Sequence, residues 1–312
     1  MPSKSGSSRG HNGERHASPC NPGQQAFSSP VRVNSQTGSV IAIGTVRVAH
    51  LAVGKGGRVH VAWMGSRPAE PKAPGGAVPI LYARLNDGQT AFEPQRNIIQ
   101  SATGLDGSGS VAADAAGNVY IAWHAGQHEA GEAGRRVWMA HSADEGKTFS
   151  REAAASPEPT GACGCCGMRA FADRSGVFYA LYRTASESVN RDTYLITLRD
   201  RGASFRGSRL HKWQINACPM STAALAESRR GVLLAWETAG QVYFAETGPQ
   251  GSSVSDPVAA PGPAGASIPP WRATTQARQF WSGPKVQAGR RAARSPGRSS
   301  IGSAVRPKRA LR

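Results

Sequence analysis

The residue types best suited to chemistry in this chain are its cysteines. Four of the five fall in two tight groups: Cys163, Cys165 and Cys166 within Ala162-Cys-Gly-Cys-Cys-Gly-Met-Arg169, and Cys218 within Asn216-Ala-Cys-Pro-Met220. Three chemistries compete for them. A disulfide from Cys218 to one member of the cluster requires an oxidising compartment. A thiolate centre of Cys165, Cys166 and Cys218, completed by His211 or Met220, would select a soft ion such as Cu(I) or Zn. Buried reduced thiols are the third reading. The spacing is not that of two Cys-x-x-Cys pairs, and adjacent cysteines chelate one ion poorly, so the disulfide is the first expectation, no metal ligand is assigned, and the metal site stays as an alternative. Cys-x-x-Cys-His is absent, which excludes covalent haem. No cofactor is expected either: Gly54-Lys55-Gly56-Gly57 reads as a hairpin turn, with no helix N-terminus to meet a phosphate.

The elements that must hold these residues repeat along the chain. Gly57 to Trp63, Gly117 to Trp123, Gly176 to Tyr182 and Gly231 to Trp236 are four similar apolar runs after a glycine, and their closing aromatics lie 60, 59 and 54 residues apart. Runs of β-branched and aromatic residues after a turn are strand grammar. A second repeat stays in phase with the first. Ser142, Asp144, Gly146, Thr148 and Phe149 form the pattern S-x-D-x-G-x-T-F, and Asp200, Gly202, Ser204 and Phe205 repeat it. Leu85 to Phe92 is a degenerate copy in which Asp87 is read as the turn carboxylate. An Asp in such a turn accepts backbone N–H bonds, the Gly takes a positive φ and the aromatic packs beneath. The pattern is a structural staple. Four units of about four strands, with no amphipathic helix, describe the blades of an all-β propeller.

Phase then places the reactive residues. Cys166 lies 16 residues before Tyr182, Cys218 lies 18 before Trp236, and Arg47 lies 16 before Trp63. Arg169 lies 13 before Tyr182. All four are expected at the mouth of the central channel, with Cys166 beside Cys218. His60, His124, His141 and His211 share no repeat position, so they are read as surface or packing residues.

Charge adds little to the function. The net charge of +17 is concentrated at one end: Pro257 to Arg312 holds eleven Lys and Arg and no acid, leaving +6 for the rest. Residues 1–29 are read as disordered, 30–250 as blades, and 251–312 as a basic Pro/Gly/Arg-rich tail. That tail is read either as a disordered arm that binds polyanions non-specifically or as a frameshifted remnant of further blades. Ile268 to Gly289, shifted by one nucleotide, permits another strand ending in Trp. No apolar run approaches the roughly 18 residues of a membrane span, and the N-terminal stretch lacks the apolar region of a signal peptide. No specific nucleic-acid partner is expected.

The repeated staple is the Asp-box, or BNR, signature, and residues 30 to 248 resemble the sialidase superfamily of six-bladed β-propellers, with about four clear blades here. The resemblance implies boxes on the rim away from the site, and an extracytoplasmic location. Val46-Arg47-Val48 resembles that family's Arg-Ile-Pro motif, with Val48-Ala49 replacing Ile-Pro. By resemblance, Arg47, Arg169 and Arg183 are the candidates for the three arginines that hold a sugar carboxylate. Glu237 is the candidate carboxylate for a Glu–Tyr catalytic couple. The family's acid/base Asp has no counterpart, since Trp63 to Ile80 offers only Glu70. Two functions follow: an exo-sialidase-type glycosidase with an incomplete site, binding or acting on acidic glycans; or a non-catalytic propeller that binds a protein or metal at a Cys-lined channel face.

Overall fold

The computed structural model describes residues 29–41, 47–107, 109–126, 131–156, 159–200 and 204–261. Of the tails expected over 1–29 and 251–312, residues 1–28 and 262–312 lie outside the described residues, as does Gly202 of the second box.

Among the described residues, sixteen strands form four antiparallel sheets of four, each a meander of consecutive strands. The first blade holds β1 (His50–Val53), β2 (Val59–Met64), β3 (Ile80–Arg84) and β4 (Arg96–Asn97). The second holds β5 (Ser110–Ala113), β6 (Val119–Ala125), β7 (Arg136–Ser142) and β8 (Ala153–Ala154). The third holds β9 (Arg169–Ala172), β10 (Phe178–Arg183), β11 (Thr193–Leu198) and β12 (Phe205–His211). The fourth holds β13 (Ala223–Glu227), β14 (Val232–Thr238), β15 (Gln241–Glu246) and β16 (Val258–Ala259). The first strands lie against one another in succession, β1 on β5, β5 on β9 and β9 on β13, which makes them the inner strands of neighbouring blades. Four-stranded meanders stacked through their inner strands are the blades of a β-propeller.

The apolar runs follow from this stacking. A blade between two others buries both faces, so its second strand reads as one continuous run instead of alternating. All seven residues of β6 and all six of β10 are buried. Alternate residues still serve opposite neighbours. On one face of the first blade Ala62, Met64, Ile80 and Tyr82 pack with Ile121 and Trp123 of the second. On the other face Val61, Trp63, Leu81 and Ala83 are covered by Val33 and Val40 of the segment before the blade. Tyr120 and Met139 meet Phe178 and Ile196 between the second and third blades. Leu181 and Leu195 meet Leu234 and Trp236 between the third and fourth.

The boxes lie between the third and fourth strands of their blades. Asp144 Oδ1 accepts the Thr148 N–H at 2.9 Å and the Ser142 hydroxyl at 2.7 Å, while Oδ2 accepts the Thr148 hydroxyl at 2.6 Å. Asp200 accepts the backbone and hydroxyl of Ser204 in the same way. Phe149 packs edge-on against Tyr82 of the preceding blade at 5.1 Å between ring centres. The box therefore ties one blade to the next.

Two expectations are corrected. In the degenerate first box the turn acceptor is Asn86, which takes the Thr90 N–H at 3.0 Å, whereas Asp87 reaches across to Arg58. Asn86 stands four residues before a Thr, as Asp144 does, and that spacing decides the role. The blades also run past residue 250, because β16 pairs with β15 through Tyr243 and Ala259. A two-residue strand carries no pattern to read in advance.

Candidate functional site

Each inner strand begins at the end of the blade where its second strand finishes, as the pairings His50–Ala62 and Arg169–Leu181 show. That end also receives the loops joining one blade to the next. Arg47 precedes β1, Arg169 opens β9, Arg183 closes β10 and Glu237 lies near the end of β14, so all four nominated side chains belong to this one end.

Their surroundings differ. Arg183 is buried and filled with acceptors: the Ser221 hydroxyl at 3.1 Å, the Arg191 carbonyl at 2.7 Å, the Thr238 hydroxyl and the Glu237 carbonyl. Its guanidinium also stacks on Trp213, 4.9 Å from the ring centre. Arg183 thus meets the backbone of Glu237, while the Glu237 carboxylate accepts the Gly240 N–H of its own hairpin at 2.6 Å. Arg47 pairs with Asp106. Arg169 donates to His50 Nε2 at 2.5 Å and to the Met168 carbonyl at 3.1 Å. Among the described residues no carboxylate lies within ion-pairing distance of Arg169. Burial first, then the Arg169 charge, pulls His50 down to about 3, so it stays a neutral acceptor.

The cysteines do converge here. Cys165 and Cys218 form a disulfide between consecutive blades, with Cα atoms 6.5 Å apart. Cys166, level with Cys218 by phase, instead receives the Cys163 S–H at 2.9 Å and the Ser221 hydroxyl at 3.7 Å. Both free thiols are buried. The hydrogen bond from Cys163 makes Cys166 the more acidic of the two, and the same bond and burial push Cys163 up. His211 is turned away from sulfur: it accepts the Trp236 indole N–H at 3.3 Å and lies edge-on to Tyr243.

Sequence reasoning passed over a run of charges in the loops. Asp106 bridges Arg47 and Arg135, and Glu132 bridges Arg135 and Arg191 at 3.0 and 2.7 Å. His124 lies beside them, wholly buried, with neither ring nitrogen partnered among the described residues. Burial above all, and then Arg135, pulls it down to about 4. One of these was within reach of the phase argument: Asp106 stands 17 residues before Trp123, between the 16 that placed Arg47 and Cys166 and the 18 that placed Cys218. The rest sit in loops without a repeat. A pocket of about 620 Å³ opens outside the third blade, with Asp192, Arg209 and Trp213 in its wall. Arg209 reaches Asp192 at 3.1 Å.

No protein-family model matches the chain, and no curated protein matches its sequence. Solved structures do. A leech intramolecular trans-sialidase complexed with 2,7-anhydro-Neu5Ac is 9% identical, with 76% of this chain and 54% of that chain covered at a TM-score of 0.52. The Ruminococcus gnavus intramolecular trans-sialidase in complex with oseltamivir carboxylate is 10% identical, with 74% and 73% covered at 0.50. A Hadza microbial sialidase is 16% identical, with 68% and 46% covered at 0.48. The chain thus spans about half the length of the leech and Hadza proteins. At these identities the likeness is one of fold.

Proposed function

We propose that the chain recognises acidic glycans at the loop end of its blades, with Arg169 receiving a sugar carboxylate. The carrying observation is that Arg169 is half-buried with no carboxylate partner among the described residues, whereas Arg47 is matched by Asp106 and Arg183 by a full set of protein acceptors. A guanidinium held out of water without a counter-charge favours an incoming anion, and a carboxylate fits its fork at two points. Arg47 is the second contact, since its partner Asp106 is shared with Arg135. The leech fold neighbour is complexed with 2,7-anhydro-Neu5Ac and the Ruminococcus gnavus one with oseltamivir carboxylate, both carboxylates, which supports the same class of ligand.

Turnover is not part of this reading. Glu237 is engaged in its own hairpin, and the hydroxyl of Tyr182, the tyrosine among the repeat's closing aromatics, lies 2.6 Å from the Thr160 hydroxyl. The Cys165–Cys218 disulfide fits an oxidising, extracytoplasmic setting. Calorimetry with 3′-sialyllactose against lactose tests the proposal. Binding confined to the sialylated sugar, weakened about tenfold or more by Arg169→Ala and less by Arg169→Lys, is the expected result. Equal binding of both sugars, or unchanged binding by Arg169→Ala, would overturn it.

A further inference from the structure

The loop that carries the Cys165–Cys218 disulfide holds more sulfur than a staple needs. Cys163 Sγ lies 3.4 Å from Cys165 Sγ, and the sulfurs of Cys163, Cys165 and Cys218 all fall within 4.8 Å of one another. Cys163 is buried, Cys165 half-buried and Cys218 exposed, so the group has a dry side and an open side. Three sulfurs converging from two loops on one point are the donor set of a soft ion.

A second observation points the same way. Arg191 is 5% exposed, and its Nη2 is used by Glu132 at 2.7 Å and by the Ser188 carbonyl. Its Nε and Nη1 are buried with no acceptor among the described residues. Unmade bonds of this kind are costly in a folded chain. The Arg191 charge acts on Cys163 and the Arg183 charge on Cys166. A cluster of thiolates carrying more negative charge than its ion would offer acceptors to the two nitrogens of Arg191 that Glu132 and Ser188 leave unmet.

We propose that Cys163, Cys165 and Cys218 form a three-thiolate Cu(I) site that opens when the disulfide is reduced, with Arg191 offsetting its charge. Three sulfurs suit Cu(I), whereas a structural Zn site takes four ligands. Cys166 is the hydrogen-bonding neighbour and is not a ligand. A dithiol reductant supplies two electrons and two protons, the Cys165–Cys218 bond breaks, and the reductant closes to its own disulfide. Cu(I) then replaces the three thiol protons by three S–Cu bonds without changing its oxidation state. The disulfide and the copper site are alternative states of one loop, and this inference does not depend on glycan binding.

The test uses the full chain carrying Cys20→Ser, which removes the fifth thiol. The protein is reduced with a dithiol, desalted without oxygen and titrated with Cu(I) against a chromogenic Cu(I) chelator, with native mass spectrometry counting the ions. One Cu(I) per reduced chain and none in the disulfide form are expected. Cys163→Ser weakens binding about 100-fold, Arg191→Gln about tenfold, and Cys166→Ser leaves it within about threefold. Circular dichroism of the reduced, metal-free chain reports that it is still folded. A folded reduced chain that takes no stoichiometric copper would overturn the site. So would equal uptake by the disulfide form, or preference for Zn(II) with Cys166 as a fourth ligand.

Discussion

The two ends of the blades are built on different principles. At the box end Asp144 and Asp200 make the same bonds to the residue four places on, and Asp114 and Asp173 accept N–H bonds in the inner hairpins in a shared pattern. At the loop end no two blades match. The first offers Arg47, the second Asp106, Glu132 and Arg135, the third a cluster of cysteines, and the fourth Glu237 in a tight hairpin. The repeated end satisfies its polar groups within each turn. Among the described residues the varied end leaves Arg169 without a carboxylate, and His124 and Arg191 with unpartnered nitrogens. The repeated end carries the shared hydrogen-bonded turns, and the varied end carries the unmatched charges and the sulfurs.

The sharpest way to break this contrast is to empty the stack itself. Trp123 is fully buried in the core shared by the first two blades, and Trp123→Ala should cost about 3–5 kcal/mol in denaturant unfolding. A loss under about 1 kcal/mol would mean that the blades do not pack face to face.

Acid should follow in severity. His50, His60 and His124 are held at about 3, about 4 and about 4, against an ordinary value of 6.5, in each case chiefly by burial. Their folded-state values are depressed, so the unfolded chain binds protons that the folded chain refuses. Stability is then full above about pH 6.5 and declines as pH falls toward about 4. A flat stability profile from pH 7 to pH 4.5 would contradict the burial of these rings.

Within the box the larger single effect belongs to the glycine. Gly146 has φ +78°, and a Cβ there would sit 1.9 Å from the Tyr82 hydroxyl. Gly146→Ala should cost about 2–3 kcal/mol, combining backbone strain with displacement of Tyr82. Asp144→Asn should cost less, about 1–2 kcal/mol, because it weakens charge-assisted bonds without moving a blade. Burial raises the Asp144 carboxyl, but the Thr148 and Ser142 bonds outweigh it and hold the group at about 2. Its contribution is therefore present above about pH 4 and lost as pH falls toward about 2, so the two proteins should converge in stability there. Proton binding by the histidines alone would leave the gap unchanged.

What the sequence made legible follows the same division. The blades, the boxes and the gathering of Arg47, Cys166 and Cys218 at one end came from intervals that repeat, and repeats are the part of a fold that a single chain states several times over. Asn86 was hidden because Asp87 beside it is the more conspicuous acceptor, although only Asn86 has the Thr four residues on. Glu132, Arg135 and Arg191 were hidden because their loops occur once, and nothing in their spacing says that two acids will thread three arginines. The choice of Cys165 over Cys166 as the partner of Cys218 turns on a local loop conformation that the Cys-Cys pair itself does not express.

The smallest expected effect is the most discriminating. Arg47 and Asp106 are 27% and 28% exposed, and a half-open pair of this kind contributes about 0–1 kcal/mol. Arg47→Ala should leave unfolding within about 1 kcal/mol of the parent while weakening binding of a sialylated sugar. The box variants should do the reverse, lowering stability while sparing affinity measured well below the melting temperature. A destabilisation by Arg47→Ala comparable to that of Gly146→Ala would place this arginine among the staples. The run from Arg47 through Asp106 and Arg135 to Glu132 would then be structural, and Arg169 would be left as the sole cation free to meet an acidic ligand among the three arginines nominated from sequence.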